Sequence, residues 1–147
     1  MATEKSVLLD VLDGLRDSIA GKLDGVPEPE VRTAGVASGT NLLGLIKHLT
    51  YVERFYFLGE PITNMNRTLR PTAKETVDGI LAGYRETIEE TNKVIAGWTD
   101  LGEPAPRPKG RNVPLSRRWV LVHMIEETGR HAGHADIIRE RIDGATG

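Results

Sequence analysis

The sequence predicts an all-α fold, a single four-helix bundle domain spanning residues 1–147, and three observations predict it. Apolar residues recur at intervals of three and four in four separate segments, the spacing of a helix face. No segment shows the strict alternation of a half-buried strand. The stretches between the segments are rich in proline and glycine, which cannot sustain a helix.

The first helix is expected from about Glu4 to Leu23, with Leu8, Val11, Leu12, Leu15, Ile19 and Leu23 on one stripe. The stretch GVPEPEVRTAGVASG that follows reads as a loop. Ser38 or Thr40 supplies the cap of a second helix carrying Leu42, Leu45, Ile46, Leu49, Val52 and Tyr56, which Gly59 and Pro61 stop after Leu58. The third opens on a capping box, Thr72 with Glu75, in which each side chain can satisfy a free backbone N–H. Its stripe is Val77, Ile80, Leu81, Tyr84, Ile88, Thr91, Ile95 and Trp98. The stretch LGEPAPRPKGRNVP is a loop, and the fourth helix runs from about Leu115 to Ile142 and ends at Gly144. Each stripe needs a partner, and four such helices bury theirs against one another in a bundle. Extended chain covers up to roughly 3.3–3.6 Å per residue. The long connections can therefore run the length of a helix, which allows a crossover topology.

A chain of 147 residues can bury a core without disulfide or metal staples. The net charge of -2 offers no basic field for a phosphate backbone, so nucleic acid is not an expected partner. No run approaches the roughly 18 apolar residues of a membrane span. Acids occur among the first residues, with no secretory apolar core, so a cytoplasmic location is expected. Cysteine is absent. A bound metal must then be held by imidazole and carboxylate, and any thiol chemistry must bring its thiol from outside.

The last helix carries an anomaly. Placed at about 100° per residue, its apolar face collects Val120, Met124, Ala135, Ile138 and Ile142, with Glu127 and His131 in the middle of it. A carboxylate on a buried face is expensive unless something offsets it, and a divalent cation would do so. Glu127 and His131 are four apart and therefore neighbours on one side of the helix. The second helix has one histidine, His48, at the edge of its stripe and near mid-length, the height at which Glu127 and His131 stand on theirs. The triad His48, Glu127, His131 is thus a candidate site for one divalent metal ion. The bland alternatives are a hydrogen-bonded core histidine and a helical Glu–His ion pair.

Other residues receive milder readings. His123 and His134 fall on the flank of the last helix: His123, also four residues from Glu127, is an alternative ligand that its angle makes more a polar neighbour of the site, and His134 is an exposed histidine with a proton carrier as the alternative. Glu53 projects toward the core and is expected to pair with an arginine such as Arg118 or Arg85. Trp98 and Trp119 read as packing aromatics at helix ends. The run from Arg107 to Asn112 looks phosphate-friendly, but a solvated loop is the favoured reading over an anion site.

The stretches SGTNLLGLIKHLTYVERFYF (38–57) and RRWVLVHMIEETGRHAGHADIIRERIDGATG (117–147) resemble the second and fourth helices of the DinB-like superfamily, in its actinobacterial branch. That resemblance implies an up-down-down-up bundle with a three-residue metal site. One ligand is a second-helix histidine, matched by His48, and two lie four apart on the last helix, matched by Glu127 and His131. Many relatives carry a third histidine where this chain has Glu127, and the His, Glu, His set is similar to that of mycothiol-dependent maleylpyruvate isomerase. A carboxylate is an equally good zinc ligand. Relatives include S-transferases and isomerases that use low-molecular-weight bacterial thiols. The resemblance therefore implies a metal-dependent transferase or isomerase acting with a thiol such as mycothiol on a small electrophile. Zinc is the first expectation, with nickel, iron and manganese also compatible. A metal-dependent hydrolase or a non-enzymatic metal- or ligand-binding stress protein would use the same donors. Homodimerisation is compatible with the pattern, since some relatives are dimers.

Overall fold

A computed structural model of the protein describes residues 1–110 and 114–147. The described residues form helices and no strand: α1 (Glu4–Gly21), α2 (Leu42–Leu58), α3 (Met65–Thr68), α4 (Val77–Ala96) and α5 (Arg117–Asp143), with one 3-10 turn at Glu30–Arg32. No helix is long and apolar enough to cross a membrane among these residues.

Local chemistry sets the helix ends, and in two places it differs from the sequence expectation. The cap of α2 is Asn41, whose side chain accepts from the Gly44 N–H at 2.8 Å. Ser38 and Thr40 instead face each other, their hydroxyls 3.0 Å apart. At the third long helix, Glu75 does accept from the Thr72 N–H at 2.8 Å, but this closes a turn just before the helix. The cap itself is Thr76, bonded to the Gly79 N–H at 3.0 Å. Gly59 ends α2 with φ 72°, a left-handed conformation that other residues adopt at a cost. The loop after α4 is closed by backbone bonds across its base: the Ala105 N–H donates to the Leu115 carbonyl at 2.8 Å, and the Arg117 and Arg118 N–H groups donate to the Glu103 and Leu101 carbonyls, each at 2.9 Å.

Ion pairs at the helix ends give the relative directions. Glu4 meets Arg118 at 2.5 Å and Lys22 meets Asp136 at 2.6 Å, so α1 and α5 run in the same sense. Lys47 reaches Glu75 at 2.7 Å and Arg54 reaches Glu90 at 3.3 Å, so α2 and α4 also run together. Lys5, at the start of α1, donates to the Trp98 carbonyl just beyond the end of α4 at 2.8 Å, so these two are opposed.

Two apolar clusters fill the interior. One gathers Ile19, Leu42, Leu45, Ile46, Leu49, Tyr84, Ala135 and Ile138; the other gathers Leu12, Val52, Phe57, Ile95, Trp98, Leu121 and Met124. Between them lies a buried polar layer of Arg16, Glu53, Thr87, Thr91 and Thr128. Arg16 donates to both oxygens of Glu53, Nε at 2.8 Å and Nη2 at 2.7 Å, and to Asp13 and Asn92, each at 2.7 Å. The partner of Glu53 is thus Arg16, neither Arg118 nor Arg85, and Arg118 is taken by Glu4. A fully enclosed guanidinium–carboxylate pair ties α1 to α2, while Asn92 adds α4.

Removing one partner of this pair strands the other charge in the core. Glu53→Ala is expected to destabilise the protein by about 3–5 kcal/mol in urea unfolding, whereas Arg16→Met with Glu53→Leu together costs far less. A single-variant loss below about 1 kcal/mol would mean that the charge escapes to water.

Candidate metal centre

The site forms where α2 and α5 lie side by side in opposite senses. Tyr56, late in α2, packs edge-on to His123, early in α5, with ring centroids 4.8 Å apart. About two α2 turns toward the helix start, His48 faces α5 at the height of Glu127 and His131. The three residues each bring one ligand-type atom to within 4.8 Å of the others. The rings of His48 and His131 meet edge to face at 5.0 Å and 81°. Glu127 Oε2 stands 3.3 Å from His131 Nε2, and Oε1 accepts from Arg130 Nη1 at 3.2 Å. Arg130 also donates to Glu126.

His48 is buried, but Glu127 is less deep than its place on the apolar stripe predicts, with a side chain 17% exposed. Arg130, itself half exposed, reaches the carboxylate from the solvent side. Part of the offset that the charge requires is therefore supplied by the protein itself.

Both imidazoles are held neutral. Burial pushes His48 down from 6.5 to about 4; the neighbouring His131 adds to this and Glu127 opposes it. Burial also lowers His131, against the pull of Glu127 and with help from His134 and Arg130. Neutral imidazole is the form that ligates a metal. The remaining ring contacts lie at Nδ1 in both cases. His48 Nδ1 is 2.7 Å from Thr68 Oγ1, and His131 Nδ1 is 3.3 Å from His134 Nδ1. That leaves Nε2 on each histidine for a shared centre with the carboxylate. Two imidazoles and a carboxylate are a donor set for zinc, nickel, iron or manganese, and three protein ligands leave a coordination position open.

The flanking histidines divide. His123 stacks on Trp119 at 4.6 Å with the planes 17° apart and stands outside the triad. Both tryptophans pack as expected, Trp119 on His123 with its outer side 44% exposed and Trp98 in the interior. His134 is exposed, yet its ring touches His131, and it lines a cavity of about 260 Å³ with Val36, Ser38, Thr40, Ile137 and Ile138. Arg111 and Asn112 of the cationic run lie outside the described residues. Sequence reasoning missed Thr68, which sits in what reads as a loop. Its one signal is Asn64, a capping residue whose side chain accepts from the Arg67 N–H at 3.2 Å and starts α3.

A family model described as mycothiol-S-transferase matches residues 7–144, a span that includes His48, Glu127 and His131. No curated protein matches the sequence.

The low His48 value carries a stability consequence. Between about 4 and 6.5 the unfolded chain takes up a proton that folded His48 refuses, so metal-free stability falls as pH drops through this window. One such group contributes a slope of at most about 1.4 kcal/mol per pH unit. In urea titrations His48→Gln is expected to show a shallower pH dependence over that window than the native protein. Parallel curves would contradict the neutral buried imidazole.

Proposed function

The chain belongs to the mycothiol-S-transferase family, a DinB-like family, and from that premise we propose a divalent-metal-dependent transferase. It would use a low-molecular-weight thiol such as mycothiol on a small electrophile. The observation that carries this reading is the convergence of His48, Glu127 and His131 within 4.8 Å.

His48, Glu127 and His131 would hold a divalent ion, which would supply Lewis acidity that lowers the pKa of a cosubstrate thiol. The protein's residues do the rest. His48 and His131 offer unprotonated nitrogens without first having to lose a proton at pH 7, because burial has already lowered their proton affinity. Glu127 supplies one negative charge, and Arg130 at 3.2 Å restrains its rotation. The chain has no cysteine, so the attacking sulfur has to arrive with a cosubstrate. His134, whose ring touches His131, lines with Val36, Ile137, Ile138, Ser38 and Thr40 a cavity of about 260 Å³ that suits a small, partly apolar molecule. Zinc suits the donor set first, with nickel, iron and manganese as further candidates.

The test is thiol-conjugate formation by zinc-loaded protein with mycothiol and a panel of epoxide, quinone and haloalkyl electrophiles. Replacement of an outer group around a metal site costs about 10–100-fold, and His48→Ala, which removes a proposed ligand, is expected to cost at least that much. Rates equal in the native protein and His48→Ala across the panel would overturn the proposal.

A further inference from the structure

The short helix α3 brings one side chain into the interior, and that side chain touches the candidate site. Thr68 is 3% exposed, and its Oγ1 lies 2.7 Å from His48 Nδ1. The same oxygen is 2.6 Å from the Met65 carbonyl, to which it donates. A carbonyl has no proton to give. If the Thr68 hydroxyl turned its proton toward His48 instead, two lone-pair oxygens would face each other at 2.6 Å with nothing between them. The hydroxyl proton therefore belongs to Met65, and the Thr68 oxygen is left as an acceptor. Its partner, His48 Nδ1, must then carry the ring proton.

From this we infer that Thr68 is a positioning residue that fixes His48 as the Nδ1–H tautomer, so that Nε2 is the nitrogen left with a lone pair for Glu127 and His131 to complement. The inference rests on the reading of those three residues as a metal site. A buried histidine without this contact would be at liberty to protonate Nε2, which would close the site to a cation.

The approach of α3 to α2 is itself built into the sequence. Gly44 lies one turn before His48, and a Cβ at that position would fall 2.2 Å from the Leu69 carbonyl. Only glycine lets the backbone following Thr68 seat against α2 at this point. Asn64 opens α3 by capping it, and the Thr68 hydroxyl turns back to the Met65 carbonyl within the same turn. Cap, helical turn and glycine contact together aim one acceptor oxygen at one ring nitrogen.

Two readouts test this, and the first needs no metal. In metal-free protein labelled with 15N-histidine, long-range 1H–15N correlation at neutral pH reports which nitrogen of each ring is protonated. His48 is expected as the Nδ1–H tautomer in the native protein and in Thr68→Ser. That signature is expected to be lost or mixed in Thr68→Val, which keeps the shape and removes the acceptor, and in Gly44→Ala. The second readout is zinc affinity by chelator competition, expected to fall about 10–100-fold in Thr68→Val and to recover most of the way in Thr68→Ser. A native His48 protonated at Nε2, or a Thr68→Val protein with native tautomer and native zinc affinity, would overturn the inference. If the native protein takes up no zinc while His48 is still the Nδ1–H tautomer, the metal reading fails and the role of Thr68 in setting the ring stands.

Discussion

The enclosed pair between Arg16 and Glu53 is the interaction on which the arrangement of the helices depends. Taking two charges out of water costs several kcal/mol per ion unless their hydrogen bonds are made good. Glu53 receives two N–H donors from Arg16, and the remaining donors of Arg16 go to Asp13 and Asn92. These demands fix the relative heights of α1, α2 and α4, because a slip by one turn would leave both charges unmatched. The apolar clusters on either side tolerate many packings; the polar layer between them accepts few. His48 stands five residues before Glu53 on α2, so the register set by the ion pair is also the register that brings His48 to the height of Glu127 and His131.

The candidate centre follows the same logic with less burial. Its imidazoles are neutral, and its single carboxylate is partly offset by Arg130. Such a set can persist in a folded protein without a metal and still gain from one, since a cation would be attracted to Glu127 and ligated by two nitrogens already unprotonated. The contact of Thr68 at His48 Nδ1 determines which nitrogen of that ring carries the free lone pair. Groups that touch only the far side of a ring thus decide what the near side can bind.

Much of this was legible in the sequence where periodicity or stop signals carry the information. The four long helices, the stop at Gly59 and the anomalous Glu127 and His131 follow from spacing alone. The heights of His48, Glu127 and His131 follow from helix midpoints, though their approach to within 4.8 Å needed the packing. What could not be read depends on choices among neighbours or on distant chain. Ser38, Thr40 and Asn41 are all capping residues within four positions, and the folded chain uses Asn41. Thr72 and Thr76 compete in the same way before α4. The partner of Glu53 comes from α1, for which local pattern holds no signal. Thr68 lies twenty positions from His48 in a stretch without periodicity, and its role appears only once Gly44 has allowed α3 to settle.

The central claim is that His48, Glu127 and His131 hold one divalent ion together. Elemental analysis with X-ray absorption at the metal edge, on protein isolated without chelators and on His48→Ala, Glu127→Ala and His131→Ala, tests it most directly. The account predicts about one ion per chain in the native protein, surrounded by nitrogen and oxygen without protein sulfur, and loss of that ion in each folded variant. Folded native protein without stoichiometric metal, or metal content unchanged by the three substitutions, would contradict it.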